Sequence, residues 1–159
     1  MGVHEELQIS KPLGLGHELA LAILLTREYV SHIQEQQVFE PEGLSSQQYN
    51  LLRILKGGPE GGYMIKDLRC RMIYRFADVP RLVNRLQGHK LVERRPCPHD
   101  KRGSMICITA KGLALEARVH LRLDTLMAHM DKALNAEERG QLLSLLERLR
   151  DDYRDRLEG

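Results

Sequence analysis

Arg81, Asn84 and Arg85 stand three and four residues apart in the stretch ADVPRLVNRLQGHK. On an α-helix that spacing sets all three on one face, while Val79, Leu82, Val83 and Leu86 take the other. Arginine can donate two hydrogen bonds to guanine O6 and N7, and asparagine can pair with adenine N6 and N7. The chemistry is that of reading base edges in duplex DNA. The charge around these residues agrees. Residues 66–102 hold eleven Lys and Arg against four Asp and Glu, a local +7, and the rest of the chain carries −5 within a net +2. A local positive field recruits polyanions even when the whole molecule is nearly neutral.

A second basic group lies at CPHDKRG, between two short β-compatible runs, 91–96 (LVERRP) and 104–109 (SMICIT). Pro, Asp and Gly are turn formers, so this reads as a hairpin with a charged tip. Lys101 and Arg102 at the tip suit a minor groove, whose negative potential attracts guanidinium groups. Asp100 beside them reads as a clamp accepting hydrogen bonds from Arg94 or Arg95. The DNA-contact set is therefore Arg75, Arg81, Asn84, Arg85, Arg94, Arg95, Asp100, Lys101 and Arg102. Gln47, Gln48 and Lys66, near helix starts, can touch phosphate, although Gln48 serves equally as a simple cap.

The elements that must position these residues follow from periodicity and punctuation. Residues 1–12 are polar and end in Pro12, an irregular lead-in. Apolar residues at helical spacing (Leu15, Leu19, Ala22, Ile23, Val30, Ile33) predict a first helix over 13–39, stopped by Pro41 and Gly43. Ser45 and Gln48 form a capping box for a second helix with Tyr49, Leu52 and Leu55 inward, closed by Gly57, Gly58 and Pro59. A short helix covers 65–72, with Ile65, Leu68 and Met72 inward. Asp78 caps a fourth helix with Pro80 in its first turn. After the hairpin, Thr109 caps a fifth helix from Ala110 to about Lys132, and Asn135 with Glu138 boxes a sixth. Leu142, Leu145, Leu146, Leu149 and Tyr153 line one side of that last helix. This is more apolar stripe than a small winged helix can cover, and burial against a twin chain is the natural solution. Two recognition helices would then lie about 34–36 Å apart and read a pseudo-palindrome.

The fold class is mainly α: a winged helix-turn-helix of about six helices plus a two-stranded wing, one domain over 1–159. Segments 13–39 and 110–157 are its dimerisation helices and 45–109 its DNA-binding region. Three cysteines without CxxC spacing argue for reduced thiols in a cytoplasm. The longest apolar run, LALAILL, falls far short of a membrane span. Cys97, His99 and Asp100 cluster on an exposed turn with no water-excluded pocket or oxyanion donors, so an enzyme is not expected. His17, His32, His120 and His129 show no i, i+4 pair, and neither a metal nor a cofactor is expected. Cys70, between Arg69 and Arg71, reads as half-buried filler.

The run LSSQQYNLLRIL and the run ADVPRLVNRLQGHKLVERRPCPHDKRGSMICITAKG resemble the MarR family of bacterial transcriptional regulators over nearly the whole chain. The most specific part is RLVNRLQGHKLVERR followed by DKRG and ITAKG. The resemblance implies a homodimer with interlocked terminal helices, a recognition helix carrying Arg81, Asn84 and Arg85, and a wing with Asp100 and Arg102 at the family's Asp-x-Arg positions. It further implies a repressor released by a small aromatic or anionic effector. An effector pocket would be lined by the first, second and fifth helices, with His17, Tyr49 and Arg53 as candidates. A metal- or thiol-responsive regulator of the same fold, and a winged-helix protein-interaction module, stay open. The chain departs from the family at Pro80, where small hydroxyl residues are common. It departs also at Lys90, where a glycine is usual, and in having no cysteine before Cys70.

Overall fold

A computed structural model of the chain describes residues 2–97 and 103–158. The backbone divides into two compact units, 1–120 and 121–159.

The first unit starts with a one-turn helix, α1 (Val3–Glu6), in the stretch expected to be irregular. It is fastened to α2 (Leu15–Gln34) by a Tyr29–Glu6 hydrogen bond and by His4 Nε2, 3.8 Å from Glu18 Oε2. The expected helix over 13–39 is α-helical only to Gln34; Glu35–Phe39 is wound as a π-turn and Glu40–Glu42 as a 3-10 turn. Gly43, at φ 67°, then ends the run, and Leu44 N–H returns to Phe39 O at 3.1 Å. The wider winding brings Val38 and Phe39 into the core, whereas α2 itself buries no residue.

The winged helix follows as read. In α3 (Ser46–Lys56) both halves of the capping box form, Gln48 N–H to Ser45 Oγ at 3.3 Å and Ser45 N–H to Gln48 Oε1 at 2.8 Å. Next come α4 (Ile65–Arg71), α5 (Val79–Gly88) and a hairpin of β1 (Val92–Pro96) and β2 (Ser104–Ile108), with Arg94 opposite Ile106. Tyr63 bridges the other side of β2 at Ile106, which ties the loop before α4 to the wing. The core lies here: Leu51, Leu52, Leu68, Val83, Leu86 and Ile106 are all fully buried. Thr109 caps α6 (Ala110–Met127) by accepting from Gly112 N–H at 3.0 Å. Glu116 of α6 is buried, with Lys56 Nζ 2.5 Å from its Oε2.

The corner between α5 and β1 resolves the missing glycine. Lys90 N–H bonds Gln87 O and Leu91 N–H bonds Leu86 O, both at 2.9 Å, a Schellman closure. That closure needs a left-handed residue, and Lys90 takes it at φ 60°. An L-residue there costs roughly 1–2 kcal/mol, partly offset by the entropy a glycine would lose. Lys90→Gly is therefore expected to stabilise the protein by about 1 kcal/mol, a rise of about 3 °C in a thermal melt. An unchanged melt would show that the Lys90 side chain holds the corner by another contact.

In the second unit the fifth helix stops short of Lys132. It ends at Met127, its last turn tightening to His129 N–H on Leu126 O at 3.2 Å, and a one-turn helix α7 (Met130–Ala133) follows. No Gly or Pro marks this stop. Asn135 and Glu138 form the expected box at the head of α8 (Ala136–Glu158), with bonds of 2.8 and 3.0 Å. Leu142, Leu145 and Tyr153 of α8 are exposed, and Leu146 and Leu149 half-buried, in the single chain.

Candidate nucleic-acid interface

Asp78 Oδ1 accepts the Arg81 N–H at 3.1 Å and so starts α5, with Pro80 in the first turn, where a missing N–H is harmless. Val79, Leu82, Val83 and Leu86 are buried, which clamps the helix by one side. Arg81, Asn84 and Arg85 are exposed on the other. Neither arginine has a side-chain partner among the described residues.

Arg94 is different. From β1 its Nη2 donates to Asn84 Oδ1 at 2.7 Å and its Nε to Gln87 Oε1 at 3.1 Å. The wing is thereby stapled to α5. The contact also settles the Asn84 amide: its oxygen faces Arg94 and its Nδ2 is left as a donor. The role of Gln87 has no sequence signal, because it depends on the register that sets Arg94 beside it. Arg95 pairs with Glu93 on its own strand, Nη2 to Oε1 at 2.6 Å, which raises the guanidinium pKa. Arg94 and Arg95 thus have described partners other than Asp100. Asp100, Lys101 and Arg102 lie outside the described residues.

Arg75 donates to Cys70 O at 2.9 Å, satisfying a carbonyl at the end of α4, and Arg71 donates to Asp67 O in the first turn of the same helix at 2.9 Å. Gln48 is a buried cap rather than a free donor.

Of the effector candidates, Tyr49 is buried, its ring 5.3 Å from that of Phe39, and its hydroxyl meets His120 Nδ1 at 3.2 Å. His120 enters this pair rather than a metal cluster; no group of three or more metal-ligating side chains forms among the described residues. His17 and Arg53 are exposed. A cavity of about 330 Å³ lies elsewhere in the first unit, lined by Glu42, Leu91, Lys111 and Arg118 among others, and none of the three candidates lines it. Both its strong cations are engaged, Arg118 with Glu42 at 2.8 Å and Lys111 with His89 O at 3.0 Å.

Cys70 is exposed, where half-burial was expected. Cys107 is buried, its thiol donating to Gly61 O at 3.3 Å, and burial pushes its pKa up. A maleimide is therefore expected to label Cys70 promptly in the native protein and Cys107 only on unfolding, as read by peptide mass. Equal rates would show that β2 opens readily. No helix among the described residues is long and apolar enough to cross a membrane.

No protein-family model and no curated protein matches the sequence. Solved structures do match in shape. AbsC of Streptomyces coelicolor, a MarR family transcriptional regulator, aligns at TM-score 0.75 and 22% identity, over 92% of this chain and 99% of its own. The chain has the fold of the MarR-family regulators. BpsR of Bordetella bronchiseptica, whose DNA binding is regulated by 6-hydroxynicotinic acid, aligns at TM-score 0.77 and 20% identity, over 89% and 99%. PcaV of Streptomyces coelicolor, a transcriptional regulator solved with its natural ligand, aligns at 0.73 and 20%, over 89% and 97%. In this fold α5 is the second helix of the helix-turn-helix and β1–β2 the wing that follows it.

Proposed function

We propose that this chain is a cytoplasmic, homodimeric, sequence-specific DNA-binding regulator of MarR type, a repressor released by a small aromatic or anionic ligand. The observation that carries the reading is the pair Arg81 and Arg85, without a side-chain partner among the described residues, on the exposed side of a helix whose other side is buried. A basic face held that rigidly, beside a wing stapled to it through Arg94, suits a major groove. Arg81 reads a base edge, Asn84 offers its Nδ2 to a purine acceptor, and Arg85 supports both. Arg75, Lys101 and Arg102 add positive charge, and phosphate contacts supply most of the affinity.

The ligand half of the proposal rests on Tyr49 and His120, a hydroxyl and an imidazole in contact beside a buried aromatic ring. Such a pair can bond a phenolate or carboxylate. BpsR and PcaV, with the same fold, are described with 6-hydroxynicotinic acid and a natural ligand. A ligand would act by favouring one disposition of the two recognition helices over another.

The test is fluorescence anisotropy with a duplex from the gene's own upstream region against a scrambled duplex, at two salt concentrations. Tight, salt-sensitive binding that prefers the native duplex is expected. No binding at low salt would favour a protein-interaction module instead. Within that assay Arg81→Ala is expected to lose about 1–3 kcal/mol of preference at one base pair. Arg94→Ala is expected to weaken discrimination at the Asn84 position while leaving the salt slope unchanged, since Arg94 is spent inside the protein. A slope lowered by about 1 would make Arg94 a phosphate contact.

A further inference from the structure

Phe76 is 100% exposed and Ile73 68% exposed, in the turn between α4 and α5. Large apolar side chains left in water singly are ordinary, but this turn is built to hold its shape. Ala77 N–H bonds Tyr74 O at 3.1 Å, so Phe76 occupies the third position of a closed β-turn. Buried Asn50 accepts the Ile73 N–H at 2.9 Å, and Arg75 ties the segment back to Cys70 O at 2.9 Å. An aromatic ring is thus presented from a turn fastened at three points, two residues before the cap of the recognition helix.

Its surroundings select the partner. Arg69, Arg71, Arg75 and Arg81 are all exposed nearby in sequence, whereas Asp78 is engaged as a helix cap. An apolar ring flanked in sequence by exposed arginines suits a surface that is anionic yet offers apolar spots at fixed places. Duplex DNA is such a surface: its phosphates are anionic, and in the major groove the thymine 5-methyl is the apolar mark that side chains such as Phe contact. The N-terminal end of a recognition helix is the end that approaches base edges, and Phe76 stands in the turn just before it.

We infer that Phe76, aided by Ile73, packs on a thymine methyl in each operator half-site and makes this protein select thymine at that position. The inference rests on the DNA-binding reading above. It adds a determinant that hydrogen-bonding residues cannot supply, because a methyl group offers nothing to Arg81 or Asn84.

The experiment uses the full-length protein and a duplex that it selects from a random 30-base-pair library. Each thymine in turn is replaced by uracil, which removes only the methyl group. Wild type is expected to lose roughly four-fold in affinity at one symmetric pair of thymines. Phe76→Ala is expected to bind about ten-fold more weakly and to be indifferent to uracil at that pair, whereas Phe76→Leu keeps part of the sensitivity. Because Phe76 buries nothing in the protein, circular dichroism and melting should not change. If Phe76→Ala weakens binding but keeps the wild-type response to uracil, the ring touches the backbone and the inference fails. It fails also if neither change affects binding, or if Phe76→Ala alters only the oligomeric state, which would assign the ring to a second copy of the chain. A wild-type protein that selects no duplex would instead overturn the DNA-binding reading itself.

Discussion

Gly62→Ala is expected to lower the melting temperature by about 10 °C and to loosen the wing, while Gly61→Ala one residue earlier is nearly neutral. Gly62 sits at φ 77°, where a side chain costs roughly 1–2 kcal/mol. A Cβ built on it falls 2.0 Å from Ile106 O and 2.8 Å from Cys107 Sγ. The first of these is backbone and cannot swing aside. That carbonyl also accepts the Tyr63 N–H at 3.1 Å, so pushing it away breaks the bridge that ties the loop before α4 to β2. Overpacking of this kind costs about 1–3 kcal/mol, and the two terms together reach roughly 2–5 kcal/mol. A 150-residue protein loses about 2–4 °C for each of these. Gly61 has open space around its Cβ and no positive φ, so it controls for the general effect of removing a glycine. Equal melts for the two variants would mean that β2 yields easily, and the wing would then be a loosely attached element rather than a braced one. Operator affinity should fall with Gly62→Ala as well, because the same strand pair carries Arg94 to Asn84.

The contrast between these two glycines shows where sequence reading stops. PEGGY is plainly a loop, and nothing in its letters separates Gly61 from Gly62; the difference is a strand 44 residues further on that closes over one of them. Features set within one turn of chain were legible. Ser45 with Gln48, Asp78 with the Arg81 N–H, Thr109 with Gly112, and Asn135 with Glu138 all cap as their spacing requires. The buried side of α5 and the exposure of Arg81, Asn84 and Arg85 were legible too, since helical periodicity alone decides them. What failed lacks a local signal. Val3–Glu6 is too short to show a period, the π-turn at Glu35–Phe39 keeps the same apolar letters as an α-helix, and Met127 ends α6 without a breaking residue. The partners of Arg94, and the meeting of Tyr49 with His120 across 71 residues, depend on tertiary register. Phe76 has no signal either, because an apolar letter in a turn carries no sign of whether it is covered.

Leu145→Glu combined with Leu149→Glu is expected to convert the dimer proposed here into monomer and to lower operator affinity by on the order of 100-fold or more. In the single chain α2 buries nothing, and Leu142, Leu143 and Leu145 of α8 are 45%, 60% and 57% exposed. Covering one leucine is worth about 1.5–3 kcal/mol. In a two-fold dimer every substitution occurs twice, since the same patch is used by both copies. One position therefore accounts for roughly 4 kcal/mol of association, near a thousand-fold in the dimer dissociation constant, and two positions with buried carboxylates for more. Folding of the winged helix should be spared, because its core is built from α3, α4, α5 and the hairpin and does not include Leu145 or Leu149. Light scattering on the size-exclusion peak reads the mass, and anisotropy with half-site and full-site duplexes reads the binding. The full site gains over the half site only while two recognition helices are held together. For the variant that gain should vanish while half-site binding persists. A variant that stays dimeric would move the interface away from α8, and a wild-type protein that is monomeric yet still prefers the full site would require another way of coupling the two halves.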